Sequence, residues 1–272
     1  MRPKRSAVIA THLVLGVTTF LFVFPIIWAL AKSTQDLGTS VSTSLALGDQ
    51  FVTNAWAALD RFGLGQMMGN TIFVTAAVTL GKTVLSLLAA TAFVYFRFPF
   101  QGLAFALVLF TLMMPTEALI RALFDLVGDL GMLNSYEGLI LPFMASATGT
   151  FLFRQHFLRI PRDLVEAAQV DGVGPFRFLR SFLVPLSWNI IGASAVIDVV
   201  YMWNMYLWPR WAATDPEVMM VQVGLVRLLS EQQVNHWGII MAGAIITMIP
   251  PLIIFMLLQE RFTRGFALSG DK

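Results

Sequence analysis

Six runs of apolar residues, at about 8–31, 69–95, 103–121, 138–155, 187–209 and 237–258, constrain this chain more than any motif does. Each is long enough, or nearly so, to cross a hydrocarbon layer of about 30 Å as a helix of about 20 residues. A segment in lipid must satisfy its own backbone N–H and C=O groups, so helices are the expected form. Composition agrees, because 57% hydrophobic and 12% charged residues do not suit a soluble domain of 272 residues. The chain reads as an all-α polytopic membrane protein with six transmembrane helices.

The first run imitates a secretory signal, with Arg2, Lys4 and Arg5 before it and Ala29-Leu30-Ala31 at its end. Its apolar stretch exceeds the roughly 7 to 15 residues of a signal core, so a retained span is expected. Lysines and arginines set the orientation. With a cytoplasmic N-terminus, twelve of them fall inside (2, 4, 5, 97, 154, 159, 162, 177, 180, 261, 264 and 272) and five outside (32, 61, 121, 210 and 227), with Lys82 left within a span. The positive-inside rule therefore predicts that both termini are cytoplasmic. A net charge of +2, with the cations grouped by membrane side, gives no ground for a nucleic-acid partner. The absence of cysteine excludes disulfides and thiolate chemistry.

The segments between runs differ in kind. Residues 32–68 form a Ser-, Thr-, Gly- and Asp-rich outer loop. The expected division is an accessory first helix and loop (1–68), a five-helix core (69–264) and a cytoplasmic tail (265–272). Leu119, Leu123, Leu126, Val127 and Leu130 recur at helical spacing and predict an amphipathic helix on the outer surface. In the basic cytoplasmic segment 156–186, Pro161 can start a helix on which Leu164, Ala167, Ala168 and Asp171 share a face, with Gly172 placed to end it. A second short helix follows from Pro175 to Pro185. Two short helices with a glycine elbow make a compact knob whose Glu166 and Asp171 can meet basic groups on a partner. Spacing alone leaves open an ordinary amphipathic loop helix.

The stretch EAAQVDGVGPFRFLRSFLVPL, from Glu166 to Leu186, resembles the EAA motif of bacterial ABC importer permeases. Glu166, Ala167, Ala168, Asp171, Gly172 and Pro185 match it, while Val173, Leu179 and Val184 depart from the usual Ala, Phe and Leu. MLNSYEGLILP at 132–142, MASATGTFLFRQHF at 144–157, YMWNMYLWP at 201–209 and MIPP at 248–251 are similar to the carbohydrate-importer branch, and most similar to second permeases of sn-glycerol 3-phosphate importers. The resemblance covers about residues 69 to 264. It implies a type I importer permease in the bacterial inner membrane. The implied partners are an ABC ATPase dimer that carries ATP-Mg, a second homologous permease and an extracytoplasmic solute-binding protein. It also implies ATPase coupling through Glu166, Ala167, Ala168, Asp171 and Gly172, with no cofactor bound by this chain. A disaccharide permease of the same family is the alternative within the class.

Polar residues within the runs supply the remaining candidates. Ala76 to Thr83 (AAVTLGKT) satisfies a loose phosphate-loop pattern, yet it sits mid-span with one glycine and no preceding strand, so ATP binding is not expected there. Thr75, Thr79, Lys82 and Ser86 give the second span one polar stripe. An intramembrane lysine costs about 2.5 to 3.5 kcal/mol and turns inward. Two roles stay open for Lys82: an ion pair with Asp198, at similar depth in the fifth span, or a positive charge on the path of an anionic solute. The same pair could serve an ion-coupled secondary transporter, which is the alternative from another class. Tyr201 and Asn204 suit contact with a polyol, whereas Trp208 and Trp211 fit an interfacial aromatic belt. The three histidines are scattered, so neither a metal cluster nor a histidine-based triad is expected.

Overall fold

The computed structural model describes residues 5–231 and 236–267, and among these every regular element is helical. The chain divides into two compact units, Met1–Met68 with Gly224–Ile249 and Gly69–Val223 with Pro250–Lys272. The composition shift near residue 68 predicts a division there. In the structure residues 224–249, expected in the core, group with the first unit.

The first unit opens with the Arg5–Ser33 helix, whose described side chains from Val8 to Ile27 are all exposed. An apolar helix exposed on every face is suited to lipid. Its C-terminal turn is the opposite: Ala31, Lys32 and Ser33 are buried. Here the expected outer loop is built structure. Asp36 caps a short helix, Leu37–Val41, accepting from the Thr39 N–H at 2.9 Å, and this contact holds its carboxyl below the usual carboxylate range. Lys32 donates to Gln35 Oε1 at 3.0 Å and to the carbonyls of Thr39 and Ser42, with the Trp28 ring 5.9 Å away. Gln35 in turn donates to the carbonyls of Ser44 and Ala46, and Asn54 to those of Ser33 and Gln35. These amides and the ammonium satisfy backbone carbonyls that an irregular segment would otherwise bury unpaired.

In the second unit the Leu64–Tyr95 helix contributes to two apolar clusters. Val74 and Val78 pack with Val127, Leu139, Met202 and Trp208 in one. Leu87 and Ala90 pack with Phe153, Phe157, Phe178 and Leu183 in the other. The expected amphipathic helix is present as Thr116–Asp129, with Val127 buried and Leu119 and Leu126 exposed. Trp208 departs from the expected aromatic belt: it is 2% exposed, and its Nε1–H donates to the Gly138 carbonyl at 3.1 Å. A buried indole N–H needs an acceptor, and the short Tyr136–Ile140 helix brings one. Trp211 is exposed on one side and meets Phe124 edge-on.

Three apolar runs form unbroken helices long enough to span: Val8–Ser33, Leu64–Tyr95 and Trp237–Arg261, the last continuing to Ala267. That continuation takes up the start of the expected tail, whose residues 268–272 lie outside the described ones. The fifth run passes the same test only when Pro175–Leu186 and Trp188–Trp203 are taken together, bent by 78°. The third and fourth runs are broken. Gln101–Thr111 is followed by a new helix starting after Pro115, whose missing N–H and restriction on Met114 end the first. The fourth is Tyr136–Ile140, a tight turn containing Pro142, and Ala147–Phe157, where Ser146 caps Gly149 N at 3.0 Å. The count of six therefore belongs to runs of sequence, and a continuous helix does not underlie each.

Candidate functional site

The knob of the second unit is built by local rules. The Arg162–Val170 helix starts after Pro161, with Asp163 in its first turn, where a negative charge suits the helix dipole. It ends in a left-handed elbow at Gly172, φ 69°, where a side chain would be strained. Gly172 N donates to Gln169 O at 3.0 Å and Val173 N to Ala168 O at 2.9 Å, the paired bonds of a Schellman ending. The chain then runs through Pro175–Phe178, a π-helical turn at Leu179–Leu183 and Val184–Leu186. Pro185 does not stop this helix. The widened π turn before it relaxes the usual clash of a proline ring with the preceding turn, and the bend comes at Ser187.

The faces of the knob differ from the spacing expectation. Ala168 is 4% exposed and packs in the cluster of Phe157, Phe178 and Leu183, with Val165 beside it. Glu166, Ala167, Asp171 and Gly172 point outward together, so Ala168 shapes the knob from within. Two large apolar side chains flank the elbow, Val170 at 87% exposure, which spacing did not single out, and Phe176 at 73%, whereas Leu179 and Leu183 of the same short helix turn inward. At its base the His156 Nε2–H donates to the Leu186 carbonyl at 3.2 Å. Burial, aided by Arg159, pushes this imidazole below its ordinary pKa against the opposing pull of the carbonyl.

Within the helices the structure brings Lys82 and Asp198 together. Lys82 Nζ lies 3.1 Å from Asp198 Oδ1, both side chains being 10% exposed. Ser194 Oγ approaches the other carboxylate oxygen at 3.4 Å, and the Tyr201 ring centroid lies 5.0 Å from the ammonium. This is a neutralised buried pair with one aromatic wall. Ser86, on the same stripe, donates to the Ser146 carbonyl beneath Gly149, where an added Cβ would collide with the Ser86 side chain.

The four path candidates do not form one site. Thr79 lines an apolar cavity of about 560 Å³ with Thr75, Thr83, Trp188 and Trp203, and the buried hydroxyls of Thr75 and Thr79 have no hydrogen-bond partner among the described residues. Tyr201 and Asn204 line a different cavity, of about 430 Å³, with Glu117, Tyr206 and Met205. It opens where the Trp188–Trp203 helix gives way to Leu207–Ala212. Lys82 lines neither. Glu117 and Tyr206 were missed because only the fold brings the first turn of the amphipathic helix against this break.

Residues 82–267 match the family model of the binding-protein-dependent transport system inner membrane component, over more than half of the chain. The chain belongs to that family. It is therefore an inner-membrane transport subunit and not an enzyme. It is 39% identical to the sn-glycerol-3-phosphate transport system permease protein UgpE of Brucella suis biovar 1, covering 93% of this chain and 94% of that one. It is 38% identical to the proteins of that name from Agrobacterium fabrum, with coverages of 94% and 95%, and from Salmonella typhi, with 96% of each. Among solved structures it is similar to a bacterial ABC transporter involved in the import of the acidic polysaccharide alginate. The TM-score is 0.86 at 22% identity, covering 97% of this chain and all of that one, which shows a shared fold. All of the knob lies inside the family match.

Proposed function

We propose that this chain is one permease half of an ATP-driven importer for sn-glycerol 3-phosphate or related glycerophosphodiesters, coupled to its ATPase through the knob at Glu166 to Gly172. The observation that carries the coupling is the pairing of an internally fixed elbow with an outward face of two carboxylates, Glu166 and Asp171, and two unburied apolar side chains, Val170 and Phe176. Exposed apolar groups ringed by charge mark a docking surface. A rigid elbow can transmit displacement because its helix ending and its contacts with Phe157 and Phe178 tie it to the membrane helices. The solute class rests on the UgpE proteins of three organisms that align with nearly the whole chain.

In this reading both termini and the knob face the cytoplasm, where a dimer of ABC ATPases binds and hydrolyses ATP-Mg. A second homologous permease completes the path, a solute-binding protein delivers solute from outside, and lipid surrounds the apolar helices. The test is the ATPase rate of the complex in lipid with its solute-binding protein, adding glycerol 3-phosphate, a glycerophosphodiester or maltose in turn. Stimulation by either phosphate compound alone supports the assignment. Stimulation by maltose alone replaces the solute, and uptake driven by a proton or sodium gradient without an ATPase overturns the coupling.

A further inference from the structure

The cavity beside the Asn204–Tyr206 break differs chemically from a phosphate site. No lysine or arginine lines it, and one carboxylate, Glu117, does. The nearby ammonium of Lys82 lies 5.0 Å from the Tyr201 ring centroid and is already paired with Asp198. A dianionic phosphate, which accepts hydrogen bonds and repels carboxylates, would meet Glu117 in the lining, while the guanidinium of Arg210 stands behind Tyr206 and is engaged by its ring and oxygen.

The polar groups that do line the cavity offer both acceptors and donors. Glu117 is exposed and has no hydrogen-bond partner among the described residues, so its oxygens are available. Asn204 spends one N–H on the Val200 carbonyl at 2.8 Å and keeps the other N–H and its amide oxygen. Tyr206 oxygen accepts from Arg210 Nη1 at 2.7 Å, which leaves the phenol hydrogen free to donate. Tyr201, 43% exposed, adds an aromatic wall. Acceptors and donors lining one cavity beside an aromatic surface fit neighbouring hydroxyl groups, each of which donates once and accepts. A volume of about 430 Å³ suits a small solute.

We infer that this cavity is a transient subsite for the polyol end of the transported solute, with Glu117 and Asn204 accepting from its hydroxyls and Tyr206 donating to one of them. The inference rests on the proposed importer function and deepens it: this permease half reads hydroxyls, and the phosphate is held elsewhere on the path. Glu117 and Asn204 are then specificity-determining residues for the transported solute.

The experiment compares uptake of glycerol 3-phosphate with that of 3-hydroxypropyl phosphate, which lacks the middle hydroxyl. It uses the full complex in proteoliposomes, with the same saturating solute-binding protein throughout. Because the binding protein is unchanged, its own preference cancels when a variant's uptake ratio is divided by the wild-type ratio. Glu117→Gln and Asn204→Ala, both at exposed positions, should each lower the preference for glycerol 3-phosphate about tenfold, the usual worth of a hydrogen bond to a charged or well-placed acceptor. An unchanged ratio in both variants overturns the subsite while leaving the importer standing. Failure of the wild-type complex to take up either ester with ATP overturns the importer reading and the subsite with it.

Discussion

Each unit buries a lysine, and the two solve the same problem differently. Lys32, 1% exposed in the first unit, is satisfied by neutral oxygens: Gln35 Oε1 and the carbonyls of Thr39 and Ser42. Lys82, 8% exposed in the second, is paired with the Asp198 carboxylate. The difference lies in the backbone around them. Lys32 stands at the end of a helix, where the following segment has carbonyls to spare. Lys82 sits mid-helix, where the carbonyls are already engaged in the helical ladder, so neutralisation must come from a side chain on another helix.

The largest effect expected from breaking this contrast is at the ion pair. Asp198→Asn leaves a buried ammonium without its counter-charge and should cost about 3 to 5 kcal/mol, read as a lower melting temperature in detergent. The double variant Lys82→Met, Asp198→Leu should recover most of that loss, because a buried pair is often replaceable by apolar groups. If the double variant stays folded but transports poorly, Lys82 has a path role beyond pairing. Lys32→Met removes a donor and leaves no charge behind. It should cost about 1 to 3 kcal/mol and speed amide hydrogen exchange across residues 34–46, with exchange near Lys82 unchanged. Trp208→Phe should cost about 1 kcal/mol by orphaning the buried Gly138 carbonyl. Glu166→Ala, on the exposed face of the knob, should change stability by less than about 0.5 kcal/mol while reducing coupled uptake.

Legibility in the sequence follows the same contrast. Charges in apolar runs are conspicuous, so Lys82 and Asp198 could be matched by depth although they lie 116 positions apart in the chain. Backbone carbonyls have no sequence signature, and the Ser- and Gly-rich segment around Lys32 read as an outer loop although it is built around a buried ammonium. The glycine elbow was readable because a positive φ selects glycine. Which alanine faces inward was not, since two neighbouring alanines are identical until Phe157 and Phe178 supply a core for one of them. The apolar runs were visible, and their breaks near Pro115 and Pro142 were readable only in retrospect, because proline is tolerated in membrane helices when neighbours satisfy the freed groups.

ATP-driven solute uptake by the reconstituted complex carrying Glu166→Ala is the measurement that meets the central claim most directly. The account predicts that uptake falls at least tenfold while the complex assembles and melts as the wild type does. Uptake at the wild-type rate would contradict coupling through the knob.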